Sequence, residues 1–227
     1  MGDPTKPDLR ISYLEHRSMR ADAARLTELL GAAQPADAGR LRALAEWYAR
    51  YEAAIHDHHH AEEAVIYPAL LERDPSFAEA DHQLEGQHQV LADRLQVARE
   101  SLTGLATAAD GSRWEQEREE AVKAALALKA IIDTHTGDEE AIAFPRYAAH
   151  FSAAEYAGLN KAALKLVGRR SFVFAGPWVL DHATPSERAE LLGKQPLLLR
   201  VLYQLTLQPR YQRLVRPLRQ PAEPAHS

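Results

Sequence analysis

The chain has 227 residues, 46% of them apolar, which is enough for one sizeable domain or for a domain with an appendage. It contains no cysteine, and this excludes disulfides, thiolate zinc sites and iron–sulfur clusters. The formal net charge of −5 is unevenly distributed, because residues 1–150 carry 16 basic and 27 acidic side chains whereas residues 151–227 carry 11 and 5.

Four helices are predicted within residues 8–150, because these segments are rich in Ala, Leu, Glu and Arg and poor in β-branched residues. Breaks between them are predicted at residues 31–37, 74–76 and 110–112, where Gly, Pro, Asp and Ser are concentrated. A small polar residue closes each break and is expected to cap the helix that follows. The predicted caps are Asp37, Ser76 and Ser112.

The second and fourth predicted helices contain the same motif, 77 residues apart. Residues 58–68 read HHHAEEAVIYP and residues 135–145 read HTGDEEAIAFP. Each copy has a His followed four residues later by a Glu, so both side chains lie on one face of a helix. Each copy ends in a proline, Pro68 or Pro145, that is predicted to kink the last turns of its helix.

The first copy of the motif can be aligned in two registers. His59 and Glu63 have the same spacing as the His and Glu that precede them by one residue. In the second copy the histidine is flanked by threonines, which are poor ligands, so comparison of the copies decides the register. The favoured pairs are His58 with Glu62 and His135 with Glu139.

The first and third helices each add one histidine to the predicted core face. Apolar residues recur at steps of three and four in every helix, which is the pattern of a packed helix seam. His16 lies in the seam of the first helix and His88 in that of the third. Residues equally distant from a short connection lie at similar height in an up-down bundle. The two His/Glu pairs and these two histidines are therefore predicted to form one layer.

Residues 151–227 are predicted to form a helical extension, with one helix over residues 152–167 and another beginning near Thr184. The extension either packs against the bundle or joins a partner chain, as in a homodimer. Its tail has an arginine at every third position, and we interpret this as a solvated basic face rather than a nucleic-acid or membrane site. These arginines are Arg210, Arg213, Arg216 and Arg219.

The predicted polar layer is best explained by bound metal. A buried carboxylate or imidazole without a partner is costly, so two Glu and four His at one level of a core make little sense as packing. A cation removes this cost, because it neutralises carboxylates and accepts imidazole lone pairs. Imidazole and carboxylate together suit iron, manganese or zinc. A pair of such ions with open positions suits a small diatomic or peroxidic ligand.

At these residues the sequence resembles the hemerythrin-like (HHE cation-binding) family, over residues 8–150. The resemblance implies an all-α fold, an up-down four-helix bundle with a carboxylate-bridged non-haem di-iron centre. Glu62 and Glu139 would bridge the two iron ions. The terminal ligands that the resemblance implies are His16, His58, His88 and His135.

Two positions differ from the oxygen-carrying members of that family. Those members have two histidines four residues apart in the third helix, whereas Leu84 and Ala92 stand at these offsets from His88. Their last motif ends in an Asp one position after Glu139, where this chain has Glu140. The pattern looks more like the His, HxxxE, His, HxxxE subgroup, and the missing imidazole implies an additional open position. Redox turnover is therefore favoured over reversible oxygen carriage, and zinc or manganese could replace iron.

We expect a di-iron protein that binds and reduces peroxide, O₂ or nitric oxide with electrons from a reductant that the sequence does not identify. No general acid or base can be assigned. The alternative is a module that senses iron, oxygen or nitric oxide without turnover, and a weaker one is a metal store or structural zinc site. The N-terminus has no apolar signal segment and no apolar run approaches about 18 residues, so we expect a cytoplasmic protein without a membrane or nucleic-acid partner.

Several other polar residues are expected to have no role at the centre. Glu85 precedes His88 by three residues and could contact its ring, although a solvated glutamate is the expected state. Tyr48 and Tyr51 share the seam of the second helix and are expected to pack in the core. The histidines expected to be structural or on the surface are His56, His60, His82, His150, His182 and His226.

Overall fold

The computed structural model describes residue 3, residues 5–108 and residues 112–219, with all their side chains except those of residues 169 and 170. The predicted break at 110–112 lies largely outside these residues, as does His226. The first five helices are α1 (Arg10–Gly31), α2 (Ala38–Ala61), α3 (Tyr67–Arg73), α4 (Ala78–Thr107) and α5 (Trp114–His150). The last five are α6 (Ala153–Ala163), α7 (Arg169–Asp181), α8 (Pro185–Gly193), α9 (Leu197–Leu202) and α10 (Gln208–Arg219).

Helices α1 to α5 form the predicted helical bundle, in which α2 and α3 together make the second of four long segments. Helix α5 packs against both α1 and α4, and α4 packs against α2. Short connections join consecutive segments, so neighbours along the chain run in opposite directions. Within the described residues every regular element is a helix, which confirms the all-α prediction.

Asp37 is the N-cap residue of α2, as predicted, whereas Ser76 and Ser112 are not the N-cap residues of α4 and α5. Asp37 accepts a hydrogen bond from the backbone N–H of Gln34, at 2.9 Å, and makes no side-chain bond to the first turn of α2. The backbone N–H of Ser76 donates to Asp74, and α4 begins two residues later with Phe77 at its N-cap. Ser112 likewise precedes the N-cap of α5. In the first two cases a proline-containing 3₁₀ turn precedes the helix, and the polar side chain makes its hydrogen bond within that turn.

The second long segment of the bundle is interrupted by a five-residue π-helical turn, Glu62–Ile66. The N–H of Tyr67 donates to the carbonyl of Glu62, five residues earlier. Pro68 follows at once, and because proline lacks an N–H and crowds the carbonyl four residues before it, a regular α-helix is disfavoured here. Pro145 instead lies inside α5, which continues to His150. The two copies of the motif therefore differ in backbone.

The bundle core consists of two apolar clusters with a buried polar layer between them. Along α4, Leu91 belongs to one cluster and Leu84 to the other, with buried His88 between them. Along α5, Ile132 and Ala143 belong to the two clusters, and the His and Glu of the motif lie between. Apolar side chains thus pack above and below the polar layer.

Helices α6 and α7 of the extension both pack on the bundle. Helix α6 packs on the π turn, and α7 contacts both α1 and α2. On α7, the indole Nε1 of the buried Trp178 donates to Asp22 on α1 at 2.7 Å, and His182 lies 3.0 Å from the same carboxylate oxygen. Through these contacts the buried carboxylate of Asp22 in the bundle binds the extension.

The basic tail forms the last helix, α10, and one face of it is buried. Tyr211, Val215 and Leu218 lie on the inner face, and α10 packs against α2 and α7. Arg219 pairs with Asp181 of α7. The tail is therefore an amphipathic helix that packs on the bundle. Its arginines do not contact solvent alone, because Arg219 also makes this ion pair. None of the described helices is both long and apolar enough to cross a lipid bilayer.

Candidate metal centre

The polar layer brings together all six predicted ligands and one further histidine. Two groups of side chains each offer ligand atoms within 4.8 Å of one another. One group consists of His59, Glu62, His88 and His135, and the other of His16, His58, Glu62 and Glu139. Because Glu62 belongs to both groups, its carboxylate can be shared between two ions.

The further histidine is His59, which the comparison of motif copies set aside. Neighbouring residues on an α-helix point about 100° apart. His58 therefore turns towards His16, with ring centroids 5.5 Å apart, while His59 stacks on His88 at 4.1 Å. In the second copy the position of His59 is taken by Thr136, so the comparison of copies could not reveal it. The signal was the run of three histidines itself.

The oxygens of Glu62 face two different histidines. Its Oε1 lies 2.9 Å from Nε2 of His58, and its Oε2 lies 3.5 Å from Nε2 of His88. These histidines belong to different groups, so the carboxylate spans the two ligand sets. Glu139 is placed differently, with its Oε2 at 3.0 Å from Nε2 of His16.

Seven buried ligand atoms at the centre make no well-oriented hydrogen bond within the described part of the chain. Buried polar atoms are rarely left unpaired, because each one loses its bonds to water on folding. A cation requires lone pairs that converge on one point with no hydrogen-bond donor between them. Imidazole and carboxylate supply such lone pairs here, and this set of ligand atoms fits iron. The atoms are Nε2 of His16, His58, His59, His88 and His135, and Oε2 of Glu62 and Glu139.

The second glutamate of each motif copy holds a histidine of another helix. Oε1 of Glu63 lies 2.7 Å from Nδ1 of His88, and Oε1 of Glu140 lies 3.0 Å from Nδ1 of His16. A carboxylate accepts the Nδ1 proton, so the Nε2 lone pair faces the centre. The doublet of glutamates in both copies was the sequence signal for this role. Glu85 is exposed and is not the partner of His88.

His135 and His58 are oriented from outside in the same way. Nδ1 of His135 lies 3.2 Å from Oε1 of Gln87, whose amide Nε2 donates to Asp138 at 2.7 Å. Nδ1 of His58 lies 3.5 Å from a carboxylate oxygen of Glu15 on α1. Polar side chains around the layer thus fix which ring nitrogen faces inward.

Three histidines of the first group are kept neutral by their surroundings. Burial, assisted by the charges of neighbouring imidazoles, lowers the pKa of His59 well below its usual value. Burial also lowers the pKa of His88 to about 4 and that of His135 to about 3. At neutral pH these rings therefore carry free Nε2 lone pairs, which is the form that binds metal.

In the second group, carboxylates outweigh the effect of burial on histidine. Burial lowers the pKa of His16, but its close contacts with the carboxylates of Glu139 and Glu140 raise it to about 9. The two inner glutamates differ from each other: burial and the nearby charge of Glu139 raise the pKa of Glu62. Burial also acts to raise the pKa of Glu139, but the close contact with His16 outweighs it and lowers that pKa. A cation between them would favour ionisation of both.

A cavity of about 470 Å³ reaches the second group. It is lined at the centre by His58, Glu62 and Glu139, and helix α6 of the extension forms part of its wall. Tyr147 also lines it, and this buried phenol makes no hydrogen bond within the described residues. A molecule from solvent can therefore approach the centre on the side of the second group.

The remaining polar residues lie away from the centre, as expected. The hydroxyl of Tyr48 donates to the carbonyl of Leu95 at 2.9 Å, and that of Tyr51 donates to the carbonyl of Met19 at 2.8 Å. Both are core residues without a role as ligands. The histidines at positions 56, 60 and 82 are exposed, and that at 150 lies 3.6 Å from Asp74.

Comparison with known proteins identifies the bundle. The family model of the hemerythrin HHE cation binding domain matches residues 9–147, which is more than half of the chain. No curated protein and no solved structure gives a significant match. The matched segment contains all seven residues of the two ligand groups and ends before the extension begins. The chain belongs to the hemerythrin family of HHE cation-binding domains.

Proposed function

We propose that the chain is a di-iron protein that binds and reduces a small oxidant, namely a peroxide, O₂ or nitric oxide. The observation that carries this proposal is the sharing of Glu62 between two ligand groups, one of which borders a cavity. A shared carboxylate supports a pair of ions, and the cavity supports access for an exogenous ligand. A structural ion with a closed ligand set needs neither feature.

The residues of the chain have separate roles in this proposal. Bound iron supplies Lewis acidity and reversible one-electron oxidation. Glu62 would hold both ions through its shared carboxylate, and the outer carboxylates of Glu63 and Glu140 orient the rings of His88 and His16 towards them. The apolar clusters on either side limit the entry of water, so an oxidant meets the centre from the cavity.

Reduction needs electrons that the chain cannot supply from its own thiols, because it has no cysteine. For a peroxide, the O–O bond breaks as two electrons and two protons are taken up, and two molecules of water form from hydrogen peroxide. The electrons come from an external reductant.

Metal analysis combined with an absorption spectrum tests the proposal. Protein purified in air is expected to contain about two iron ions per chain and to show the charge-transfer bands of oxo-bridged ferric iron. Peroxide consumption should be lost in Glu62→Ala, Glu139→Ala and His135→Ala, and retained in His60→Gln, which changes an exposed neighbour of the ligands. A colourless protein that holds zinc alone would contradict the proposal and favour a structural site.

A sensor is the second candidate function, and one observation favours it. Helix α6 of the extension packs directly on the π turn, which carries Glu62 and Glu63. A change in the ligands of the centre can therefore reach the extension through a single contact. Under this alternative, iron changes the protease sensitivity of residues 151–219 or the oligomeric state, while peroxide is not consumed.

A further inference from the structure

We infer that the oxidant is an organic hydroperoxide with an apolar body, and that helix α6 selects it. This inference rests on the proposed function, because it names the substrate class of the same centre. It is carried by the size of the cavity, by the side chains of its wall and by the position of α6.

The cavity is much larger than a diatomic molecule or hydrogen peroxide needs. Its volume is about 470 Å³, whereas a water molecule takes up about 30 Å³ of the liquid. Pockets that bind organic ligands span roughly 300 to 1,000 Å³. The volume therefore matches a substrate that carries an organic group beside the reacting oxygen atoms.

Part of the wall of the cavity is apolar, where Ile66, Phe144 and Ala163 are buried along it together with Glu62 and Glu139. Polar side chains line the rest, namely Ser12, Glu15, Asp57, Asn160, Lys161 and Gln195. A peroxide end at the ligand groups thus leaves the hydrocarbon of the substrate against the apolar part of the wall. Transfer of that hydrocarbon from water is favourable by roughly 25 cal/mol for each Å² buried.

Large apolar side chains are exposed where the cavity opens. Leu164, at the C-cap of α6, is 53% exposed, and Ile11 of α1 is 43% exposed. Exposed apolar groups around an opening are typical of a surface that binds an apolar partner. One of these two side chains comes from the extension and the other from the bundle.

Helix α6 is part of this chain's extension, outside the segment that matches the family. It is held in place by a capping box at Ser152, by the packing of Tyr156 on Tyr147 at 5.5 Å, and by an ion pair from Arg73 to Glu155 at 2.8 Å. The wall is therefore built before a substrate arrives, and α6 determines which molecules fit.

The reaction balances with a dithiol as the reductant. The O–O bond of ROOH breaks as the centre delivers two electrons and two protons are taken up, giving the alcohol ROH and water. The dithiol is oxidised to a disulfide and releases those two electrons and two protons. The disulfide forms on another molecule, because this chain has no cysteine.

The test compares cumene hydroperoxide with hydrogen peroxide, using the iron-loaded full chain and a dithiol. We expect kcat/KM to be about tenfold higher for cumene hydroperoxide, because an apolar pocket discriminates to this extent between substrates of different hydrocarbon content. Leu164→Trp and Ile11→Trp narrow the opening and should lower kcat/KM for cumene hydroperoxide several-fold more than that for hydrogen peroxide.

The matched control is Leu166→Trp, which changes an exposed leucine two residues further on that does not line the cavity. It should leave both substrates unaffected. Equal loss for both peroxides in the opening variants, or a wild-type preference for hydrogen peroxide, would overturn the inference.

A binding measurement separates this inference from the proposed function. Cumyl alcohol, the product, should bind the protein as isolated in a calorimetric titration, and Leu164→Trp but not Leu166→Trp should weaken that binding. If neither peroxide is consumed but cumyl alcohol binds in this way, the proposed function fails and the assignment of the cavity stands. If cumyl alcohol does not bind, the assignment fails whatever the activity.

Discussion

Glu62 differs from the other ligands because its carboxylate faces both groups, at 2.9 Å from Nε2 of His58 and 3.5 Å from Nε2 of His88. Glu139 faces one of them. Removal of the shared carboxylate should therefore weaken the binding of both proposed ions. Removal of Glu139 should weaken mainly the binding of the ion in the second group.

We expect Glu62→Ala to reduce the metal content from about two ions per chain to less than one, because each ligand group loses a charged donor. Elemental analysis after dialysis measures this. Glu139→Ala should retain about one ion. Equal metal content in both variants would show that the two carboxylates have the same role.

His59 is expected to be a ligand although its counterpart in the other motif copy is Thr136. His59→Gln removes an Nε2 atom that faces the centre. It should weaken the binding of one ion by at least about tenfold, because loss of a group that merely hydrogen-bonds to a ligand already costs that much in metal affinity. Competition with a chromophoric chelator gives the affinity. His60→Gln is the matched control, because this ring is adjacent in sequence but exposed. Similar affinities in the two variants would exclude His59 from the centre.

The outer glutamates should affect metal affinity without being ligands. Glu63→Gln keeps the shape of the side chain but removes the charge that accepts the Nδ1 proton of His88, and we expect affinity to fall about 10- to 100-fold. The same titration on Glu85→Gln provides the control, since this glutamate is exposed and lies near His88 in sequence alone. A larger effect at Glu85 than at Glu63 would reverse the assignment.

At the scale of helices, the sequence was sufficient for the long segments of the bundle and for the polar layer, but it did not predict α7 in the extension. Spacings of three and four residues identify the core face of each helix, and charged groups are conspicuous there because burial is costly. His16, His88 and the two His/Glu pairs were found in this way, and the structure brings them together. The seven-residue ligand set was not fully predicted, since His59 lies one position off the expected face.

The features that were missed depend on departures from regular geometry or on contacts between helices. A constant 3.6-residue period cannot reveal the π turn at Glu62–Ile66, which follows from Pro68 and its packing. The contact of Glu63 with His88 joins two helices, and face patterns describe one helix at a time. The side chains of Asp37 and Ser76 do not bond to the first turns of α2 and α4, because each lies in a proline-containing 3₁₀ turn that precedes the helix.

The attachment of α7 to the bundle depends on a buried hydrogen bond that can be tested. Trp178→Phe keeps the ring but removes the N–H that donates to the buried carboxylate of Asp22, so we expect a loss of about 1–3 kcal/mol in the free energy of unfolding. Urea denaturation measures it. Trp47→Phe is a matched control, because Trp47 is equally buried and its Nε1 has no hydrogen-bond partner within the described residues. Equal losses would indicate that the ring, not the bond, matters.

At the scale of the whole molecule, the centre should couple metal binding to stability. Ions that bind the folded chain alone raise the free energy of unfolding by RT ln(1 + [L]/Kd), and they also relieve the unpaired ligand atoms of the layer. For a chain of this size we expect chelation to lower Tm by about 5–10 °C. Differential scanning calorimetry gives the shift, and Glu62→Ala should respond much less. An unchanged Tm would mean that the metal-free layer is already satisfied.

The overall charges of the bundle and the extension do not explain how the two parts are joined. The bundle is acidic and the extension is basic, yet three ion pairs run from bundle arginines to extension glutamates, and the pair of Lys194 with Asp8 runs the other way. Arg17 pairs with Glu187 at 2.7 Å and Arg73 with Glu155 at 2.8 Å. Such exposed pairs contribute about 0–1 kcal/mol each. The buried contacts of α7 and α10 therefore carry most of the attachment.

With two ions bound as proposed, each ion would also be a mechanical cross-link. The second ligand group joins His16, near the start of the bundle, to Glu139, near its end, through His58 on α2 and Glu62 on the π turn. A chain pulled from its two ends would then have to break these coordination bonds before α1 and α5 could separate. Closing so long a loop also removes conformational freedom from the stretched, unfolded chain. The resistance of the chain to unfolding under tension would then depend on the supply of the metal. A protease that unfolds its substrates by pulling on them applies such tension.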